Sequence, residues 1–359
     1  MNRQRSLFKT LGKIEGLPIF LVLMALYLVL VVSAPTVFLH FGIYMSFLQS
    51  IPPTLIAALG LTLVITAGEI DLSFPAVVAL SGLALSWSVK TFGPDAGILI
   101  GIVLALASGA LVGYINGIIV ARIHVPSIMA TLAAQFFWYG ITILLAGGLS
   151  VALKGIDGNF VQQLLVGQLF GTIPMQAIWS LALAAFLWFI LNRHTFGEAI
   201  TFIGDNPNVA RVMGINVEAT RIRLFTIHGM IAAFAGIIVT LYIGVFYPDQ
   251  GNFLLPAMAS VFVGGTSIAG GAGSVFGTLF GAYIIGSLEA GVVATTISGY
   301  WVQVITGLVM GAVVILNALI SEGNLSSVSN RLRAWGVPIR TEDNTNNVPQ
   351  DIPVKPPFS

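Results

Sequence analysis

The chain has 359 residues, of which 57% are apolar and only 8% charged, against about 25% in an ordinary soluble domain. Its net charge of +1 supplies no basic field for nucleic acid, and it has no cysteine, which excludes disulfides, Cys-ligated zinc, iron–sulfur clusters and thiol nucleophiles. The composition is that of an integral membrane protein.

The N-terminus pairs basic residues (Arg3, Arg5, Lys9, Lys13) with an apolar run from Leu17 to Ala34. That run exceeds the roughly 7–15 residues of a signal-peptide core, and Pro35 follows the one small-residue cleavage point, so it reads as a retained first span after a segment 1–16. A spanning helix needs about 20 mostly apolar residues. Such windows fall near 17–38, 47–68, 73–90, 97–120, 127–147, 173–191, 224–246, 253–271, 274–292 and 301–320. The expected fold is therefore an all-α polytopic bundle of about ten transmembrane helices, occupying 17–320. A polar tail, 321–359, is expected to be disordered.

Lys/Arg placement gives the orientation. With the N-terminus in the cytoplasm, thirteen of the fifteen basic residues fall inside and only Lys90 and Lys154 outside. Both termini are then cytoplasmic. Stripes of small residues (Gly97, Gly101, Ala105, Gly109, Gly113 and Gly117; then Gly273, Gly277 and Gly281) let helix backbones approach closely and signify generic bundle packing.

Several helices are interrupted. Pro52-Pro53 stands near the start of the second span, and the run Gly68 to Pro75 breaks some 40 otherwise apolar residues. Backbone freed in this way must be satisfied by protein or by a water-lined cavity. Glu69 and Asp71 lie in the second break. An intramembrane acid suggests function, but Asp71 or Ser73 can equally cap the next helix with Pro75 in its first turn, the reading preferred for those two. Glu69 has no such simple explanation. Glu289, in the ninth window, either meets a polar solute or reaches the interface.

Long loops fall at 148–172 and 192–223. The second, Asn192 to Arg223, is the only long charged stretch between Leu17 and Ile320. It reads either as a docking surface for a soluble partner or as a connector. Within it, Gly204 to Gly214 is expected to form a short helix. Asp205 or Asn206 begins it, Pro207 occupies the first turn, and Val209, Val212 and Met213 form an apolar face.

None of the five lysines lies in a P-loop, so this chain binds no ATP through a Walker A motif. The glycine cluster Gly264 to Gly273 misses dinucleotide-loop spacing and reads as a tight turn between the eighth and ninth windows. The four histidines (His40, His124, His194, His228) are scattered without metal-ligand spacing and read as satisfied or interfacial. Neither a catalytic residue, a metal site nor a cofactor is expected. No nucleophile–base pair supports a membrane enzyme, and no visible inverted repeat supports an ion-coupled secondary transporter.

Four blocks carry a family resemblance: GLTLVITAGEIDLS (60–73), INGIIVARIHVPSIMATL (115–132), GDNPNVARVMGINV (204–217) with the small-residue helix after it, and ASVFVGGTSIAGGAGSVFGTLFGA (259–282). In this order they resemble the permease subunit of ribose-type ABC importers, the branch that includes autoinducer-2 permeases. The resemblance implies an inner-membrane assembly of two permeases, identical or sister. A cytoplasmic tandem ATPase and a periplasmic solute-binding protein complete it. It implies a sugar, polyol or sugar-derived solute, and coupling to the ATPase through Gly204, Asp205, Asn206, Arg211, Val212, Met213 and Gly214. Glu69, Asp71, Asn116 and Glu289 are the candidates for the translocation path. Relatives usually carry Gly where this chain has Glu69, a small pair at Phe74-Pro75, and amide-rich sequence around Glu289, so ribose itself does not follow. A branched-chain amino-acid permease of the same superfamily is the chief alternative.

Overall fold

The computed structural model describes residues 15–248, 253–294 and 301–321. Calls on the segment 1–14 and on most of the tail 321–359 lie outside the described residues. The chain divides into a unit of Met1–Val314 and a second of Ile315–Ser359; the description below concerns the first.

The first window is filled by α1 (Leu17–Ser33) and the single turn α2 (Pro35–Phe38). The second is a bent pair, α3 (Phe41–Ser50) and α4 (Pro52–Thr66), at 49° to each other. Pro52-Pro53 causes the bend, since neither residue can donate a backbone hydrogen bond into the preceding turn. Every residue of α4 except Thr54 is buried, as its uniformly apolar surface requires. It is the central post of the bundle, flanked by α8 (Met175–Arg193), α11 (Val217–Ile243), α12 (Leu254–Val263) and α13 (Val275–Ala294).

The third and fourth windows form α5 (Phe74–Ala121), 48 residues or about 70 Å of helix, twice the thickness of a bilayer core. It does not run straight. Gly93 is non-helical, with φ 78°, and Pro94 follows, so two limbs meet there. The small-residue stripe is divided between two partners. Gly97 and Gly101 lie against Val89 and Leu85 of the first limb, while Gly109, Gly113 and Gly117 lie on Gly229, Phe225 and Ile222 of α11. A Cβ on Gly109 or Gly229 would strike the other's carbonyl oxygen, so this crossing is backbone against backbone.

α6 (Ser127–Ala146) follows. The loop 148–172 contains a bridge, β1 (Val151–Ala152), and a short helix, α7 (Phe160–Val166), capped by the Asn159 side chain. Beyond it, β2 (Gln168–Leu169) and β3 (Ile173–Pro174) pair with each other. β1 pairs with β4 (Val245–Phe246), after α11.

Among the described residues, five helices, α5, α6, α8, α11 and α13, are long and apolar enough to cross a membrane, and the bent α3–α4 pair makes six. This is an all-α membrane bundle with broken helices. The eighth window, 253–271, differs from expectation. Its helix α12 ends at Val263 after ten residues, about 15 Å and half a bilayer core. The glycines after it, with positive φ at Gly265, Gly270 and Gly271, unwind the chain from Gly264 to Ser274. The last described helix is α14 (Trp301–Ser321).

Candidate functional site

At the foot of α4 the helix unwinds at Ala67 and restarts at Phe74. Its intervening amides have lost their helical partners and lie among apolar helices, so each needs a substitute. α6 supplies three. The amide of Ile70 donates to Ser127 Oγ at 3.1 Å, that of Leu72 to Thr131 Oγ1 at 3.0 Å, and that of Ala76 to Gln135 Oε1 at 2.9 Å. Ser127, Thr131 and Gln135 stand four residues apart, one polar stripe along an otherwise apolar helix.

The capping expectation is thus corrected. Ser73 occupies the N-cap position and Pro75 the first turn of α5, but the Ser73 side chain makes no capping bond. Gln135 serves the first turn instead. The Ser73 hydroxyl donates to Asp71 Oδ1 at 2.6 Å, and Asp71 Oδ1 also accepts the Ser73 amide at 2.7 Å. Asn116 Nδ2, from the far limb of α5, donates to Ser73 Oγ at 2.7 Å. All three side chains are buried.

On its other side the break faces α11. Glu69 Oε1 lies 2.8 Å from an Arg221 terminal nitrogen, and Asp71 Oδ2 lies 3.7 Å from His228 Nε2, with His228 fully enclosed. Two acids two residues apart thus face Arg221 and His228, seven residues or two turns apart on one face of α11.

The loop 192–223 contains α9 (Thr195–Asp205) and α10 (Pro207–Val212). The expected helix therefore begins at Pro207, with Gly204 and Asp205 closing the preceding one. Asn206 is its N-cap, its Oδ1 accepting from the amides of Asn208 and Val209. Arg211 donates to Asn208 Oδ1 at 3.0 Å, and Gly214 ends the motif with φ 85°. Ala210 anchors the helix against Ile203 and Val217. Val209, Val212 and Met213 remain 51%, 89% and 58% exposed, an apolar face that no described residue covers.

Gly204 joins this region to the break. It lies so close to the carbonyl of Thr66 that a Cβ would overlap the oxygen, and the same carbonyl accepts the Gly271 amide at 2.9 Å. The foot of α4, the end of α9 and the unwound stretch after α12 therefore meet at one point.

Glu289 is not part of this cluster. It is exposed on α13, beside a cavity of about 530 Å³ whose polar lining is Ser46, Ser50 and Glu289 itself. A smaller cavity of about 170 Å³ shares Ser50 and Glu289 and adds Thr54 and Ser260. Of the four candidate path residues, then, Asp71 and Asn116 share one hydrogen-bonded group, Glu69 adjoins it, and Glu289 stands apart.

Sequence reasoning missed Glu15. Its carboxylate accepts from Trp188 Nε1 and from the amide of Val275 at the start of α13, both at 2.8 Å. An acid just ahead of the first apolar run was its only signal. The roles of Ser127, Thr131 and Gln135 were missed too, although their spacing was visible.

A family model described as branched-chain amino acid transport system / permease component matches residues 43–316. The autoinducer 2 import system permease protein LsrC of Klebsiella pneumoniae is 34% identical over 313 residues, covering 86% of this chain and 88% of its own. The probable ABC transporter permease protein YphD of Escherichia coli K12 is 33% identical over 310 residues, covering 86% and 91%. LsrC of Yersinia pseudotuberculosis is 31% identical over 280 residues, covering 77% and 76%. No solved structure matches the chain.

Proposed function

The chain belongs to the permease-component family of ABC transporters, and from that premise we propose how this subunit works. It is a multi-pass membrane subunit of a sugar-type importer, with no ATP-binding motif of its own. Its membrane is the bacterial inner membrane, and both termini face the cytoplasm. A tandem ATPase docks below, a periplasmic solute-binding protein above, and a second permease, identical or sister, completes the pathway. The regions 1–16 and 321–359 flank the transmembrane domain on the cytoplasmic side.

One observation carries this reading. α10 presents an unpartnered apolar face, and Gly204 fastens the same segment to the break at the foot of the central helix. Val209, Val212 and Met213 enter a groove on the ATPase, Arg211 extends to its surface, and Asp205, Asn206 and Gly214 fix the ends of the lever. Displacement of α10 is passed to α4 and to the unwound stretch after α12.

The four path candidates then divide by role. Asp71 and Asn116, with Ser73, hold the break in shape, and Glu69 tethers it to α11. Glu289, with Ser46, Ser50, Thr54 and Ser260 around it, lines the path, and its carboxylate accepts hydrogen bonds from solute hydroxyls. The solute is a sugar, polyol or sugar-derived molecule, a class to which the similarity with two autoinducer-2 permeases lends support.

The test is uptake by proteoliposomes containing the permease, its ATPase and its binding protein. A panel of monosaccharides, autoinducer 2 and branched-chain amino acids is presented. ATP-dependent uptake of a hydroxylated solute is expected. Uptake of an amino acid instead would favour the branched-chain reading, and uptake by the lone chain under a proton or sodium gradient would replace the importer with a secondary transporter.

A further inference from the structure

α11 carries two arginines two residues apart, and they have opposite fates. Arg221 turns inward and is bound by Glu69 at 2.8 Å. Arg223, about 200° further round the helix, is exposed and has no carboxylate partner among the described residues. It stands instead at a cleft of about 590 Å³ between α5, α8 and α11.

This cleft has two unlike parts. Its walls are apolar, with Phe186 and Ile190 from α8, Ile227 from α11, and Tyr114 from α5. Leu187 and Ile222 are buried and form the floor, while Phe186 and Tyr114 stand out to the side with about half their surface exposed. Among the described lining residues Arg223 is the one basic side chain besides His194. His194 accepts the Phe196 amide at Nδ1, which leaves Nε2 to donate. His194 begins α9, so the cation and the donor lie at the end of the bundle where α8 leaves the apolar zone.

We propose that this cleft is a binding site for an anionic phospholipid. One acyl chain lies against Phe186, Ile190 and Ile227, and the phosphate meets the Arg223 guanidinium and His194 Nε2–H. Charge complementarity selects the occupant. A neutral helix would fill the walls but leave the guanidinium unanswered, whereas a phosphodiester supplies the charge and planar acceptor pair that Arg binds best. Basic pockets between transmembrane helices recognise acidic headgroups in this way. The inference goes beyond the transport reading and needs only that the bundle lies in a bilayer.

The test is retention of lipid by the full chain purified in detergent, measured by native mass spectrometry after adding phosphatidylglycerol or phosphatidylcholine of equal chain length. Wild-type protein is expected to retain phosphatidylglycerol in preference, with one molecule per chain held most tightly. Arg223→Gln should lower that preference by about fivefold, the equivalent of about 1 kcal/mol per basic residue near a membrane surface. Ile190→Trp should fill the cleft and reduce retention of both lipids. Arg193→Gln, which alters a neighbouring cation outside the cleft, should leave the preference unchanged. Because Arg223 is exposed, its variant is expected to keep the wild-type melting temperature, measured alongside. Equal retention of the two lipids by wild type overturns the proposal, as does an undiminished preference in Arg223→Gln. Displacement of the lipid by millimolar inorganic phosphate also overturns it, since that marks a plain anion site. So does a disulfide cross-link between copies through Cys introduced at Phe186, which would show a second chain covering the cleft.

Discussion

Glu69 and Arg221 meet at 2.8 Å with both side chains largely withdrawn from solvent, and they tie the interruption after α4 to the start of α11. The contact fixes an otherwise irregular stretch of backbone between two of the most buried helices. Removing one partner leaves the other as a buried, uncompensated charge, whereas removing both does not. Glu69→Gln and Arg221→Met should each cost about 3 kcal/mol, and the double variant should recover much of that loss. Thermal unfolding in detergent, arranged as a double-mutant cycle, reads the coupling. Strictly additive losses would mean that the pair stands together without interacting.

A second expectation concerns Asn116. Its amide donates to Ser73 Oγ, which in turn donates to Asp71 Oδ1, so this one side chain holds the far limb of α5 to the break. Asn116→Leu keeps the volume and removes the donor. It should lower stability by about 1–3 kcal/mol, the cost of stranding buried polar groups. Serine at 116 should restore part of the loss; full stability of the leucine variant would show the bond to be dispensable.

Gly204 has no room for a side chain. Its Cβ would overlap the Thr66 carbonyl oxygen and crowd the Gly271 amide. Gly204→Val should therefore force α9 away from the foot of α4, at about 1–3 kcal/mol of strain. Solute-stimulated ATP hydrolysis in the assembled complex should fall with it. Gly140→Ala, on α6 with open space around it and a helical backbone, serves as a comparison. Equal coupling in both variants would separate the contact from transmission.

The apolar face of α10 gives the opposite pattern. Val212 is 89% exposed, so Val212→Asp should leave the unfolding free energy of the isolated permease within about 0.5 kcal/mol of wild type. Co-purification of the ATPase should nevertheless be lost, because a charge would enter a docking groove. Met213→Asp should behave likewise. Normal ATPase binding and transport in both would reduce the loop to a connector.

Orientation can be read with fusions. An alkaline phosphatase reporter placed after Lys154 should be active in the periplasm, and one placed after Asp205 should be silent. The reverse pattern would overturn the thirteen-to-two partition of basic residues.

Although it did not show the unwinding after Val263, the sequence alone established that this is a helical membrane bundle, that it breaks at Pro52-Pro53 and after Ala67, and how α10 begins. Those properties are local. Twenty apolar residues make a span, Pro52-Pro53 bends one, and Asn206-Pro207 starts a helix whatever lies around it. Four motif blocks also placed the chain in its family. What the blocks do to one another was decided by tertiary structure. The amides of Ile70 and Leu72, freed between Ala67 and Phe74, depend on Ser127 and Thr131, which lie 57 and 59 residues along the chain. The same holds for the acids. Glu69 and Asp71 could equally have faced a path, solvent or a cation, and only the packing of α11 brings Arg221 and His228 opposite them while leaving Glu289 beside an open cavity. Periodicity records which face of a helix is apolar; it does not record which helix that face will meet.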